Sequence, residues 1–467
     1  MNVVANEPVW TSVQRDYGIV YTRLASQCIL DASFSFLYLR PLLGSELMND
    51  QFGRFYDGKS PQTLGFRFLC PNIAASLETG IHDHELRSWV YLPAKDARAV
   101  MEWVERSFEI LDEPMDTDDF IAMINQRKLE TPGKEDIMKC ILFRLQDQLS
   151  SYRLFMHGSH TIMDARPTFS VFNILFEAMT SGSHSDIMSA AWGTEWTNLP
   201  PGPVASTGGP RQGADAVGLE LLGRIKQAHK HRPVSHSLIA QRTESAGTGL
   251  SIRVRNTINP ELARDLFKEV KALGCTVTHL FRAIQILAIF ELNPVTDEQA
   301  PQANIAFPIS IISLQSWLTP EIQSKDRFIS QMTLVPLRIN YLSFSSLSLG
   351  KEQLSFIMQS LKDQWNFFLT NPHLPHLSAT LMTLSPPRKL EITHNPLATT
   401  NTNLGVVDAV TPTVLYPNGD STRAALIKIH DMAFGHRLTM PNPCVPPIHS
   451  FLSPCNEYNL GLLMLGL

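Results

Sequence analysis

Apolar positions along this chain recur in two rhythms that take turns. Lys139–Gln146 and Tyr152–Met156 are short apolar runs joined by a polar turn, the pattern of paired strands. Downstream, Val171, Ile174, Leu175 and Ala178 recur at helical spacing. Pro167 suits the first turn of that helix and Gly182 its stop. Ala94–Phe108 predicts an earlier amphipathic helix. The second half restarts the alternation. Leu250–Arg255 and Ile305–Ile312 read as strands. Asn259 is placed to cap a helix with Pro260 at its first position, Leu262, Leu266, Val270 and Leu273 as its apolar stripe, and Gly274 as its end. Thr276–Leu292 predicts a more buried helix. Leu354, Ile357, Met358, Leu361, Trp365 and Phe368 predict a long amphipathic one. Leu460–Leu467 reads as a buried last strand.

Between the two halves the pattern breaks. Pro200, Pro201, Gly202, Pro203, Gly208, Gly209 and Pro210 follow one another closely, as in a linker. A helix over about 216–228 follows, then His229-Lys-His-Arg-Pro233 as a second exposed segment. The chain is 467 residues long, more than one core usually serves. The expectation is an α/β protein of two similar-sized domains, 1–197 and 246–467, joined by a crossover at 198–245, with a mixed sheet in each. No short repeat is visible.

Composition narrows the function classes. With 44% hydrophobic and 18% charged residues the chain is of ordinary soluble type. A net charge of -5 and the lack of a basic run argue against a nucleic-acid partner and for a small molecule. Met1–Trp10 lacks signal-peptide features, and no stretch is long and apolar enough to span a bilayer, so a cytoplasmic protein without membrane contact is expected. Cys28, Cys70, Cys140, Cys275, Cys444 and Cys455 form no CxxC pair, which predicts reduced, mostly buried thiols and no metal site. His229, His231 and His236 lack ligand-like spacing and read as solvated, and Pro441–Pro447 reads as an extended loop.

The candidate chemistry lies in His157–Ser170. His160 and Asp164 stand four apart, after a strand and before a helix, with Gly158, Ser159 and Ala165 leaving room for a ligand near the backbone. A histidine held in such a loop suits a general base. Among 15 histidines about one such pair arises by chance, so a structural histidine is the competing reading. His157 is either a second ligand-facing group or a satisfied strand-end histidine. Asn403 and Gly405 fit either a tight turn or a polar contact with close backbone approach.

His160-Thr-Ile-Met-Asp164 with Ala165 resembles the HxxxDG motif of the acyltransferase superfamily related to chloramphenicol acetyltransferase. That group includes plant and fungal CoA-dependent acyltransferases and peptide-synthetase condensation domains. Asn401–Asp408 resembles the Asn-x-Gly segment that stands in fungal and bacterial members where plant members have DFGWG. The likeness is strongest to fungal secondary-metabolite O-acetyltransferases such as trichothecene 15-O-acetyltransferases.

The resemblance implies two chloramphenicol-acetyltransferase-like domains with an active-site tunnel between them. It implies direct transfer of an acyl group, acetyl by default, from acyl-CoA to a hydroxyl of a small acceptor. No cofactor is permanently bound and no metal is needed; the partners are the acceptor and acyl-CoA, and the protein works as a monomer. His160 is the implied base, Asp164 a loop anchor paired with an arginine, and Asn403 and Gly405 implied substrate contacts, with His157 a further candidate contact from its place at the strand end. The chain departs from the pattern at three points. Phe307–Ser313 lacks the arginine that members often carry there, leaving Arg166 and Arg338 as alternatives. Ser159 replaces the first histidine of condensation domains, which favours hydroxyl over amine acceptors, and Ala165 replaces a glycine. The rival readings are an acyl-carrier-protein-dependent condensation-type enzyme, a member repurposed for cyclisation, and a binding protein without catalysis.

Overall fold

The computed structural model describes residues 11–15, 18–24, 34–43, 61–79, 87–126, 138–146, 151–159, 165–180, 190–209, 211–212, 220–221, 223, 225, 235–237, 251–323, 332–348, 350–375, 401–406, 410–437, 448–452 and 458–465. The first half holds strands β1 (Thr11–Arg15), β2 (Gly18–Leu24) and β3 (Phe34–Leu43), helix α1 (Pro61–Leu69), then β4 (Ser76–Thr79) and β5 (Arg87–Tyr91). Helix α2 (Ala97–Ser107), β6 (Phe108–Met115), α3 (Thr117–Gln126), β7 (Met138–Leu145), β8 (Tyr152–Ser159) and α4 (Ala165–Thr180) follow. The second half holds β9 (Ser251–Ile258), α5 (Pro260–Ala272), α6 (Val277–Leu292), β10 (Asn304–Ser313), β11 (Met332–Asn340) and α7 (Lys351–Leu369). It ends with β12 (Asn401–Val406), β13 (Val414–Leu415), β14 (Ile427–Arg437), β15 (Ile448–Leu452) and β16 (Tyr458–Leu465).

A six-stranded sheet runs in the order β13-β14-β3-β8-β7-β6. It is mixed: β6 and β7 are parallel, the other neighbours antiparallel. β8 is near its middle and is buried on both faces. Tyr152, Leu154 and Met156 pack with Phe169, Phe172 and Phe176 of α4, Phe66 of α1 and Trp103 of α2. Phe155 points to the other face, among Phe120, Ile121 and Ile124 of α3 and Ile141 and Phe143 of β7. Each fully buried ring is worth about 2–3 kcal/mol of transfer free energy, which fixes the register of β8 and hence where it hands the chain to α4. A second core gathers α6, α7, β10 and β11 around Ile286, Phe307, Leu337, Ile357 and Leu361. A four-stranded sheet, also mixed, has the order β12-β15-β16-β9, with β12 parallel to β15. Four more strands, β1-β2-β5-β4, form an antiparallel sheet.

The chain does not keep its halves apart. β13 and β14, from the C-terminal part, enter the sheet of the N-terminal part, where β14 pairs with β3 from Ile427↔Leu43 to Arg437↔Phe34. Leu415, Leu426, Ile427, Ile429 and Met432 accordingly join the core that holds α4.

Several local expectations hold. Asn259 caps α5 by accepting from Leu262 N, with Pro260 at the first position. Pro167 falls in the first turn of α4, and Cys70, Cys140 and Cys275 are buried. No single helix among the described residues is long and apolar enough to cross a membrane.

Others need correction. The apolar stripe expected on α5 is narrower than its leucines suggest: Leu262 is 57% exposed, and Ala263 and Val270 make the buried contact. Small Ala263 lets α5 approach Phe281 of α6, and that approach leaves Leu262 outside. The Pro- and Gly-rich segment is packed: Pro203–Ser206 is a short helix, Val204 is buried, and Thr319 N donates to Ser206 O. In the expected helix after it, the described residues 220, 221, 223 and 225 are helical, with Leu221 and Ile225 in the second core. His236 is not solvated; its ring stacks on Phe290 at 5.1 Å and its Nε2 meets the Asn293 carbonyl. His229, His231 and Pro441–Pro447 lie outside the described residues.

Two buried polar groups act as locks. Glu195 is fully buried and accepts from Tyr91 OH (2.9 Å), Ala94 N and Gly193 N (2.6 Å), pinning the start of the crossover to the end of β5. Burial pushes the Tyr91 hydroxyl far above its ordinary range, so it stays a donor. Replacing Glu195 with Ala strands those donors, and should cost about 3 kcal/mol of unfolding free energy. A urea midpoint unchanged from wild type would contradict this.

At the start of α6, Thr276 and His279 cap each other: His279 N donates to Thr276 Oγ1 (3.4 Å) and Thr276 N donates to Nδ1 of His279 (3.1 Å). Burial first, then the Arg282 and Lys362 charges, bring the His279 pKa from 6.5 down to about 4. The unfolded chain therefore binds this proton more readily, and stability falls as pH drops from about 6.5 towards 4. His279→Gln keeps an acceptor at the capping position without the titration. Its urea midpoint should fall less than that of wild type between pH 7 and pH 5; parallel losses would rule the effect out.

Candidate active site

The centre of interest is the point where β8 ends at Ser159 and α4 begins at Ala165. His160 and Asp164 occupy the interval between them and lie outside the described residues. His157 is within β8, paired with Phe36 of β3 and Lys139 of β7, and only 5% exposed. Its ring lies 6.1 Å from that of Phe155.

The second predicted segment is β12. Its pairing with β15 shifts register between Asn403 and Gly405. Gly405 has φ +76°, the left-handed conformation that glycine adopts at little cost. Asn403 stabilises this bulge from within, as its Oδ1 accepts from Gly405 N at 2.8 Å. Its Nδ2 donates to Thr278 Oγ1, 3.0 Å away in the first turn of α6. The amide side chain thus ties β12 to the helix beside it.

The bulge approaches the start of α4. A Cβ added to Gly405 would stand 3.8 Å from Nη2 of Arg166, the second residue of that helix. Nη1 of Arg166 donates to Oε1 of Gln315, in the short helical turn after β10. Burial lowers the Arg166 pKa from its ordinary value. Farther along α4, Asn173 Nδ2 donates to Val410 O at 2.6 Å, holding the chain that leaves β12. Asn403 and Gly405 are therefore brought to the helix that continues from the His160–Asp164 interval.

Of the two arginines considered for Asp164, Arg166 is engaged as described. Arg338 is in β11, its backbone N and O both bonded by the Gln364 side chain. Burial lowers its pKa, and its Nη2 has no hydrogen-bond partner among the described residues. A third arginine lies beside the strand that lacks one. Arg282 of α6 is fully buried, with its guanidinium carbon 4.7 Å from the Phe307 ring centre and 5.3 Å from that of Trp365. Burial brings its pKa down to about 9. Among the described residues no group of three His, Cys, Asp or Glu side chains could hold a metal ion.

Thr278, Gln315 and Asn173 were not singled out by sequence. Each contacts a residue more than 100 positions away, and nothing local marks such a contact. Arg282 carries a weak signal, a charge in the middle of a mostly apolar helix.

No protein-family model matches the chain. Its structure is similar to that of the trichothecene 15-O-acetyltransferase TRI3 from Fusarium sporotrichioides, with a TM-score of 0.78, 17% identity, and coverage of 99% of this chain and 94% of that one. It is also similar to the condensation domain of the monacolin K polyketide synthase MokA, with a TM-score of 0.58, 9% identity, and coverage of 98% and 92%. In sequence it is 25% identical, over 269 residues, to the acyl-CoA-dependent acyltransferase MAC1 of Pseudozyma antarctica. That match takes in 55% of this chain and 48% of that protein, so the chain spans about half the length of this curated relative. The mixed α/β fold of this chain is thus similar to that of an O-acetyltransferase and of a condensation domain, two kinds of protein that its motifs resemble.

Proposed function

We propose that the protein is an acyl-CoA-dependent O-acyltransferase that moves an acyl group, acetyl in the first instance, to a hydroxyl of a small natural product. The observation that carries this reading is the approach of the Asn-x-Gly bulge to the helix that follows His160–Asp164. A Cβ added to Gly405 would stand 3.8 Å from Nη2 of Arg166, in the first turn of that helix. The similarity to an acyl-CoA-dependent acyltransferase and to a hydroxyl-acetylating enzyme supports the choice of donor and acceptor. In this reading the site lies in a tunnel between two domains, 1–197 and 246–467, the second of which lends β13 and β14 to the sheet of the first.

In this reading the neutral imidazole of His160, with an ordinary pKa near 6.5, takes the proton of the acceptor hydroxyl as its oxygen attacks the thioester carbonyl. The tetrahedral intermediate collapses with cleavage of the C–S bond. The imidazolium returns the proton to the departing sulfur, leaving an ester and free CoA thiol. No acyl-enzyme forms, so the rest of the rate comes from positioning both substrates and from donors facing the oxyanion. Asp164 anchors the loop rather than acting as a second base. Asn403 shapes the bulge at Gly405.

The test is thiol release from acetyl-CoA with a panel of hydroxylated terpenoids and polyketides. At least one acceptor should support release, and His160→Ala should lower kcat by about 10²–10⁴-fold. No release with any acceptor, together with no heat on titration with CoA, would overturn the reading. So would a His160→Ala variant as active as wild type. Release from an acyl-carrier protein alone would replace free CoA as the donor.

A further inference from the structure

The short helical turn after β10, Gln315–Trp317, is flanked by two guanidinium groups that the proposed chemistry does not use. Arg166, in the first turn of α4, donates from Nη1 to Oε1 of Gln315. Arg211, in the crossover, lies over the other end of the turn, its guanidinium carbon 5.7 Å from the ring centre of Trp317. The chain as a whole carries a net charge of -5, so two cations gathered on one turn run against its average.

The turn is held in place. Gln323 Nε2 donates to the carbonyls of Gln315 (3.2 Å) and Leu318 (3.0 Å), and Gln315 N donates to Ser313 Oγ at 3.2 Å. Thr319 N donates to Ser206 O at 3.0 Å, which brings the crossover to the turn. Gln315 and Ser316 are exposed, so a ligand can reach it from water. Arg166 is half-buried, and its acceptor among the described residues is a neutral amide. Burial lowers its pKa, the mark of a charge that has lost water. An anion beside it would offset that loss. Arg211 is likewise half-buried with a lowered pKa. It donates to the Thr207 carbonyl at 2.9 Å and to Thr207 Oγ1 at 3.4 Å. Stacking on Trp317 uses the face of its guanidinium and not its edge, which carries five N–H donors. Glu321 is the carboxylate nearest to the turn in sequence, and it accepts from its own backbone N–H and from the Thr319 side chain.

We propose that Arg166 and Arg211 form an anion-binding site about the Gln315–Trp317 turn, and that it takes an anionic group of one of the two transfer substrates: the phosphates of acyl-CoA or a carboxylate on the acceptor. The identity of the substrates rests on the acyl-transfer reading; the anion site does not. Phosphate and carboxylate share the chemistry that a guanidinium recognises, two oxygens met by paired N–H groups in one plane. A lysine offers a point charge instead, so the site distinguishes the two cations. The arginines come from α4 and from the crossover, and the turn from the C-terminal part, so the site exists only where the three segments are folded together.

The test uses the full chain as wild type, Arg166→Gln and Arg211→Gln. Inorganic pyrophosphate is the first probe. It should raise the Tm of wild type, and the rise should shrink in both variants. No rise in wild type, or an equal rise in all three proteins, overturns the site. Two further arms identify the substrate. Where the phosphates of CoA are the group held, each variant weakens CoA by about 5–50-fold in calorimetry and leaves pantetheine, which lacks them, within about twofold. Where a carboxylate on the acceptor is held, KM for a hydroxy-acid acceptor rises by a similar factor and KM for its methyl ester does not. Equal losses for the charged and uncharged forms in both arms, or no loss in either, overturn the proposal. So does a loss seen only with an acyl-carrier protein, which would make the turn a protein-docking surface. Should Arg166→Gln not fold, Arg211→Gln carries the same comparison. Wild-type protein that is stabilised by pyrophosphate but releases no thiol would sink the acyl-transfer reading and leave the anion site standing.

Discussion

The antiparallel ladder between β14 and β3 is the constraint on which the arrangement of this chain depends. It joins residues 427–437 to residues 34–43, so the C-terminal third must return to the sheet that carries β8 and α4. Its backbone bonds are reinforced by burial, since Ile427, Ile429 and Met432 enter the core beneath α4. Once that strand is fixed, the segment before it has little freedom. β12 must end close to α4, and Asn173 takes the carbonyl of Val410 on the way. The approach of Gly405 to Arg166 follows from that path.

Local chemistry was the part of the fold most legible in the sequence. Asn259-Pro260 starts α5 because an asparagine oxygen reaches an N–H three residues on and proline lacks a donor to strand. The strands β7 and β8 and the buried helix α6 follow from the spacing of apolar residues alone. What was not legible depends on partners distant in sequence. Leu262 belongs to the apolar stripe by spacing, yet Ala263 is the residue that meets α6. His236 looks solvated until Phe290 and Asn293 arrive beside it. The proline- and glycine-rich crossover looks like a free linker, since no local pattern announces that Val204 will be buried and that Thr319 will donate to Ser206.

The site divides along the same line. Its two motifs were legible as residue types, and the fold they resemble is the one found. The approach of β12 to α4 was not legible, because it follows from the entry of β13 and β14 into the first sheet and from single side-chain contacts such as Asn173 with Val410. Pro308 shows the limit from the other direction. A proline inside an apolar run reads as a plain strand residue, yet β10 shifts register between Phe307 and Ser310, where a proline without a donor is best accommodated. The strand carries no arginine, and its Phe307 ring is met by the guanidinium of Arg282 from α6.

The two kinds of polar contact in this molecule differ in what they can control. Glu195 is fully buried and answers three donors, so its loss strands groups that cannot turn to water, and its effect is on whether the chain folds. Arg166 is half-buried, and its described acceptor is the neutral amide of an exposed residue. A charged hydrogen bond of that kind is worth about 1.5–3 kcal/mol, less solvent screening, and either group can turn to water when it breaks. That is too little to hold two cores together, which the ladder of β14 and β3 already does. It is enough to choose one placement of a short loop over another, since 1.4 kcal/mol is about a factor of ten in population. A contact of this size, at the first turn of α4, therefore bears on local geometry more than on stability.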